Sequence, residues 1–311
     1  MEVWSLGRLM RIGFVGAGAV GCHYGSKLIQ SGEDVLLLAR GAHLQALQQG
    51  LIHESEGERL QLAVDATDDV ARLADCNVVV LSCKMTGLKE LLSALQGCLS
   101  EDAMLVSLQN GVQAPDMLAE AFPDHAVVAG TAFIGVRLES PGHIIHSAAG
   151  GIRLGLWREG RGSALLPALN EALCAAGVAS DIDADPAAML WRKLLWNCGF
   201  NAITAITRRY AREVAANDET LQMVRAAMQE TVALANELSV AIDASDIDRH
   251  IDVTLAMGPV KTSMWQDVEA GHVSEVDYMN GYVAERSESL GLAAPVNRML
   301  TTLMHALTKA G

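Results

Sequence analysis

Positive charge is in short supply in this sequence: 23 Lys and Arg stand against 37 Asp and Glu, a formal net charge of −14 over 311 residues. That balance argues against a nucleic-acid partner, because phosphate backbones need clusters of basic side chains and none is visible. It does not exclude an anionic small molecule, since a few cations concentrated in one pocket set its local sign. Paired cysteines are missing too. The six, at 22, 76, 83, 98, 174 and 198, form no Cys-x-x-Cys and no Cys/His group with metal-ligand spacing, so no metal site is expected. Reduced, mostly buried thiols in a cytoplasmic protein are the plain reading. No uncharged apolar run is long enough to span a membrane, and residues 1–9, which include Glu2 and Arg8, lack a signal-peptide core. Those nine read as an extension ahead of Met10, consistent with a start codon assigned too early. Internal repeats and low-complexity tracts are absent as well.

What is present is an alternation of strand-like and helix-like segments from Met10 onward. Arg11–Val15, Asp34–Ala39, Cys76–Ser82 and Ala103–Ser107 are apolar runs with helical stretches between them. Such runs imply a parallel sheet covered on both faces. Residues 125–157 change to short strands punctuated by Gly and Pro, read as hairpins or a sheet extension. After Asp183 strand-like runs stop. The segments 186–208, 213–239, 245–257, 261–271, 275–290 and 295–309 all read as helices. The expected architecture is α/β: an N-terminal Rossmann-type doubly wound sheet over 1–184, followed by an all-α C-terminal domain over 185–311. A cleft between two such domains is where a substrate would meet a cofactor.

The sequence Gly16-Ala-Gly-Ala-Val-Gly21 follows the first strand and opens the first helix, the context a dinucleotide fingerprint requires. Gly16 permits a tight turn, Gly18 lets the backbone approach a pyrophosphate, and Gly21 allows close helix–strand packing. Ala17, Ala19 and Val20 complete the loop. The next strand ends in Leu38-Ala39-Arg40, with no carboxylate for the ribose hydroxyls of NAD. A guanidinium there pairs with a 2′-phosphate, so NADPH/NADP+ is the expected cofactor; the bland alternative is a solvated loop charge. Lys84 and Asn110 follow directly on the Cys76–Ser82 and Ala103–Ser107 strands, the sheet edge where doubly wound folds bind ligands.

Lys193, Asn197 and Asn201 recur every four residues amid apolar neighbours, so on a helix they drift by only about 40° per step and share one face. One ammonium and two carboxamides suit a carbonyl substrate: the cation polarises the oxygen and the amides hold neighbouring hydroxyls. Hydride transfer to a ketone builds negative charge on that oxygen, which a proton-donating ammonium relieves. Each residue also has a duller explanation. Lys193 can snorkel and Asn197 can cross-link helices. Glu275 follows Ser274, an N-cap residue, with Asp277 at a capping-box position.

Taken together these pieces resemble the ketopantoate reductase (2-dehydropantoate 2-reductase) family over nearly the whole chain. The matching segments are Gly16–Gly21, Arg40, Cys83-Lys84, Gln109-Asn-Gly111, Leu190-Trp-Arg-Lys-Leu194 with Asn197 and Asn201, Thr262-Ser-Met264, and Glu275-Val-Asp-Tyr-Met-Asn-Gly281. The resemblance implies that Lys193 is the general acid and that Asn197 and Asn201 hold substrate oxygens. It further implies that Ser263 binds the carboxylate, that Glu275 orients Lys193 and a substrate hydroxyl, that Asn110 bridges cofactor and substrate, and that Lys84 lies near the nicotinamide ribose. Asp267 and Asp277 are other candidate carboxylates, with shorter motif matches. The implied reaction is NADPH-dependent reduction of ketopantoate by a cytoplasmic enzyme whose partner is a small 2-oxo acid; the long helical domain is compatible with a homodimer. One departure stands out. Where such reductases carry a Cys-Pro-Asn-Gly-like turn, this chain has Arg208-Arg-Tyr-Ala-Arg212. A paralogue acting on another 2-oxo acid fits that turn, and a non-catalytic NADPH sensor is a third reading. Relatives of hydroxyisobutyrate dehydrogenase share the domain pairing and the Lys-x-x-x-Asn face, but lack the Glu-x-Asp-Tyr segment.

Overall fold

A computed structural model describes residues 10–308; the nine-residue extension and position 309 of the last expected helix lie outside them. By its contacts the chain divides into two compact units. The first comprises the described residues up to Gln109 together with Ala114–Pro186, and the second comprises Asn110–Gln113 and the described residues from Ala187.

The first unit contains β1 (Arg11–Val15), α1 (Ala19–Gln30), β2 (Asp34–Leu38), α2 (Gly41–Leu47), β3 (Leu51–Ser55), β4 (Glu58–Leu62), β5 (Asp65–Thr67), β6 (Val78–Leu81), α3 (Leu88–Leu95), β7 (Met104–Ser107), α4 (Ala114–Ala121), β8 (Val127–Ser140), β9 (His143–Arg158), α5 (Leu165–Ala175) and β10 (Ser180–Ile182). The strands form one sheet in the order β4-β3-β9-β8-β7-β6-β1-β2-β5, with β10 pairing β9. From β8 through β5 neighbouring strands run parallel. Strands β1, β2, β6 and β7 are apolar on both faces because helices cover both, which is why their sequences do not alternate. The order reverses between β1 and β6, placing the loops after those strands at the switch point of the sheet.

Helix α1 carries Cys22, Tyr24 and Leu28 into the core beside Phe14 and Val80, each large side chain contributing about 1.5–3 kcal/mol by burial. It stops at Gly32, whose φ of +97° suits the left-handed C-terminal position. Gly32 N–H donates to Ile29 and Glu33 N–H to Leu28, satisfying carbonyls the helix leaves open.

Three imidazoles weld α1 to the far part of the sheet. Ser26 Oγ donates to the His23 carbonyl at 2.7 Å, so it accepts from His53 Nδ1 at 2.9 Å. His53 Nε2 is then the acceptor for His23 Nδ1–H at 3.2 Å. His146 lies against His23 with ring centroids 4.5 Å apart, and it bonds Ser55 Oγ and the Ala149 carbonyl, both at 2.9 Å. Burial, with His146 and Lys27 nearby, lowers His23 to about 3 and His53 to about 4.

Residues 125–157 differ from the expected short strands. They hold most of one hairpin of 14 and 16 residues, β8 and β9, kept continuous by four register shifts. Bulges of this kind break the alternation that sequence patterns rely on.

The second unit is helical among its described residues: α6 (Pro186–Thr207), α7 (Ala211–Ala216), α8 (Asp218–Glu237), α9 (Ala244–Ala256), α10 (Ser263–Glu269), α11 (Asn280–Ser289) and α12 (Pro295–Thr308). The expected single helix over 213–239 is two, because Asn217 is extended and its side chain accepts from Thr220 N, restarting the helix as α8. The expected helix over 275–290 begins later, after a 3-10 turn at Val276–Tyr278. α6 is buried on nearly every side from Asn197 to Ala205. A Cβ on Gly199 would stand 2.5 Å from Met228 Cε, so α8 packs there at contact. Asn280 Nδ2 donates to the Cys198 carbonyl and to Asn297 Oδ1, both at 2.9 Å, pinning α11 to the middle of α6. Among the described residues no helix is long and apolar enough to cross a membrane.

Candidate active site

In the first unit the loop after β1 folds back on β2. Gly16 and Ala17 N–H groups both donate to the Leu38 carbonyl, and Gly18 N–H donates to the Gly16 carbonyl at 2.7 Å. Gly16 has φ +96°, and a Cβ there would lie 2.5 Å from Cys83 N. A Cβ on Gly21 would lie 2.6 Å from Ser82 Oγ, so any side chain would push α1 off the sheet. Gly18 differs: nothing lies within 4 Å of its added Cβ, leaving the loop open on that side. The first helical bond of α1 is Cys22 N–H to the Gly18 carbonyl. The N–H groups of Ala19, Val20 and Gly21 therefore precede the ladder and carry the positive end of the helix. That open, N–H-lined cradle fits a pyrophosphate.

Arg40 is exposed immediately past the end of β2, and no acidic residue occupies positions 38–40. Lys84 is exposed just after β6. One neighbour of this loop belongs to no sequence motif. His43, on α2, bonds the Ala17 carbonyl through Nε2 at 2.6 Å and receives Gly142 N–H on Nδ1 at 3.0 Å. Its position three residues after Arg40 is the only local signal; its partners are distant in sequence.

In the second unit, Lys193, Asn197 and Asn201 lie on α6 as their spacing requires. Lys193 is half-buried, whereas Asn197 and Asn201 are only 4% and 1% exposed. Burial brings the Lys193 ammonium down to about 8, against the opposing pull of the Glu275 carboxylate. Asn197 Nδ2 and Asn201 Oδ1 have no hydrogen-bond partner. Asn201 Nδ2 donates to Met279 Sδ at 3.3 Å, an arrangement that keeps the amide oxygen pointing away from sulfur. A buried unpaired donor or acceptor costs about 1–3 kcal/mol, so two on one face are a standing expense that packing alone does not explain.

Glu275 is 6% exposed and accepts from Asn110 Nδ2 at 3.4 Å. A Cβ on Gly111 would meet the Tyr278 carbonyl at 2.7 Å, so the 110–111 turn sits close on the Glu275–Tyr278 segment. Lys193, Glu275 and Asn110 are thus brought together. Ser274 Oγ accepts from Val276 N–H, and Asp277 points instead to His305 at 2.7 Å. Asp267 lies 3.8 Å from His272. Ser263 is exposed at the first position of α10, and no hydrogen bond joins it to the other site residues. Its neighbour Thr262 is buried, caps α10 through Trp265 N–H, and bonds Thr204 Oγ1 at 2.7 Å. That bond ties α10 to α6 less than one turn beyond Asn201. In the departing turn Arg208 has φ +56°. Arg208, Arg209 and Arg212 are exposed, and Tyr210 packs at a tilt against Trp265 with centroids 5.4 Å apart.

Two family profiles match the chain: ketopantoate reductase PanE/ApbA over residues 12–159, and the C-terminal part of ketopantoate reductase PanE/ApbA over residues 185–308. A 2-dehydropantoate 2-reductase of Nostoc sp. is 28% identical over 298 residues, covering 94% of this chain and 92% of that protein. Among solved structures, a PanE/ApbA family ketopantoate reductase from Ralstonia eutropha JMP134 superposes with a TM-score of 0.88 at 29% identity, covering 96% and 99% of the two chains. A D-mandelate dehydrogenase, solved with NADH and anilino(oxo)acetate, shares the fold with a TM-score of 0.89 at 23% identity, covering 97% and 99%.

Proposed function

The chain belongs to the ketopantoate reductase family of oxidoreductases, and on that basis we propose that it reduces 2-dehydropantoate to D-pantoate with NADPH, supplying pantothenate synthesis. In this reading residues 1–184 bind the dinucleotide and 185–311 carry the chemistry, with Asn110 serving the second part. Gly16–Gly21 would cradle NADPH, with Arg40 at its 2′-phosphate and Lys84 near the nicotinamide ribose, and the group so held would supply the hydride.

The chain's own residues do the rest. The observation that carries the reading is the half-buried Lys193, held near 8, on one face with an amide donor that has no partner. Its Nζ polarises the ketone and gives its proton to the forming alkoxide. Asn197 Nδ2 donates to a substrate oxygen and Asn201 Oδ1 accepts from a substrate hydroxyl, filling the two unused valences. Glu275 keeps Lys193 charged and Asn110 holds Glu275. Ser263 offers an exposed hydroxyl to the substrate carboxylate. Six free cysteines suit the reducing cytoplasm.

A second reading, reduction of a different 2-oxo acid, is favoured by the turn at Arg208–Arg212, where three exposed cations and the tilted Tyr210–Trp265 pair replace the small turn of the family pattern. Purified protein given NADPH and a panel of 2-oxo acids separates the two by loss of absorbance at the nicotinamide band. Turnover of ketopantoate above all others supports the first; turnover of another oxo acid alone selects the second. Arg40→Asp is expected to shift preference from NADPH towards NADH, and unaltered discrimination removes Arg40 from the phosphate site.

A further inference from the structure

We propose that His43 is a positioning residue for the dinucleotide loop: it holds the Ala17 carbonyl turned away from the cradle and ties it to the β8–β9 turn. The proposal rests on the dinucleotide part of the reading above and adds a residue to it.

The tautomer follows from the partners. A backbone N–H can only donate, so Gly142 N–H at 3.0 Å makes His43 Nδ1 an acceptor. A neutral ring then carries its proton on Nε2, which donates to the Ala17 carbonyl at 2.6 Å. Ala17 O also receives the Cys22 thiol at 3.2 Å; burial raises that thiol to about 12, so it stays a donor. Two donors from the side of α1 and α2 thus fix one carbonyl. The Ala17–Gly18 peptide is the link that turns the chain into α1. Holding its oxygen on this side leaves the N–H groups of Ala19, Val20 and Gly21 facing the open side at Gly18. A flipped peptide would bring a carbonyl oxygen towards the anion.

The other end of the clamp is anchored too. The Gly142 carbonyl accepts from Ile52 N–H at 2.8 Å, so the hairpin turn is fastened to β3. A Cβ on Gly142 would stand 2.8 Å from Ala46 Cβ, so the same turn rests against α2. His43 therefore connects the loop to a part of the sheet far from it in sequence.

Two near-isosteric substitutions separate the two ring nitrogens. Asn presents an acceptor near the Nδ1 position and cannot reach Ala17, whereas Gln presents an amide donor near the Nε2 position. Dinucleotide dissociation constants are measured by fluorescence titration for the parent, His43→Asn and His43→Gln, using NADPH and NADH, alongside melting temperatures of the free proteins. His43→Asn is expected to weaken binding of the preferred dinucleotide about tenfold, the effect of one lost hydrogen bond. KM for the dinucleotide should rise with kcat unchanged, and His43→Gln should restore affinity to within about threefold of the parent. Parental affinity in His43→Asn, or equal loss in both variants, overturns the proposal while the parent's binding leaves the function standing. A preference for NADH in the parent revises the cofactor and leaves the His43 comparison intact. A parent that binds neither dinucleotide overturns both.

Discussion

Two clusters of buried and half-buried polar side chains, one in each unit, are built on opposite rules. In the first, His23, His53 and Ser26 form a hydrogen-bonded run that ends on the His23 carbonyl, and Ser55 and His146, whose ring lies against His23, form a second run that ends on the Ala149 carbonyl. Burial keeps His23 and His53 neutral. In the second, Lys193 stays within reach of its charged form, and its two asparagine neighbours keep one unused valence each. The first cluster is complete without a ligand. In the reading proposed above, substrate completes the second. Satisfied hydrogen bonds mark structural cement, and the proposal above assigns the two open valences beside Lys193 to a substrate.

The sharpest test of that contrast is Lys193→Ala. Loss of the proton donor should lower kcat by roughly a hundred- to ten-thousand-fold with dinucleotide affinity little changed; near-normal turnover would remove Lys193 from the chemistry. In the parent, reduction should slow about tenfold per pH unit above roughly 8, because only the ammonium donates. Glu275→Gln removes the charge that raises Lys193, so the limb of the pH–rate profile should move to lower pH.

Next in size is the acid response of the imidazole cluster. Folded-state values of about 4 for His53 and about 3 for His23 lie below the ordinary 6.5. Above pH 6.5 neither state takes a proton and their full stability is present. As pH falls below 6.5 the unfolded chain takes protons that the folded chain refuses, and stability drains away down to those folded values. His53 alone should account for about 3 kcal/mol of that loss. Denaturant midpoints measured between pH 7 and 4 should fall less in His53→Asn; parallel curves would contradict the assignment.

Asn280→Leu should cost about 2–3 kcal/mol in urea unfolding, since it strips donors from the Cys198 carbonyl and Asn297. The smallest expected stability change comes from Asn197→Leu. Removing an unpaired buried donor should leave the melting temperature level or raise it slightly, while KM for the oxo acid rises severalfold. A large fall in stability there would place Asn197 with the cement after all.

Much of this was readable beforehand, for local reasons. The strand–loop–helix at 11–30 announces itself because Gly16 and Gly21 answer steric demands set within a few residues, and Gly32 closes the helix. The face of Lys193, Asn197 and Asn201 is legible because helical spacing alone decides it. Strand β4 was not, being exposed along most of its length with no apolar face to read. The true extent of β8 and β9 was hidden by register shifts. His43 was invisible for a different reason: Gly142, which sets its tautomer, is 99 residues away. Which valence remains open at Asn201 likewise depends on Met279, 78 residues on.

The four residues Asn110–Gln113 cluster with the helical unit although the chain on either side of them belongs to the sheet. Gene shuffling therefore meets an obstacle in this architecture. A chimera spliced at 186 would pair Glu275 with whatever amide or apolar group the donor sequence carries at 110, and a transplanted helical half would arrive without its own companion. Exchanging halves between relatives requires moving this small insert as well.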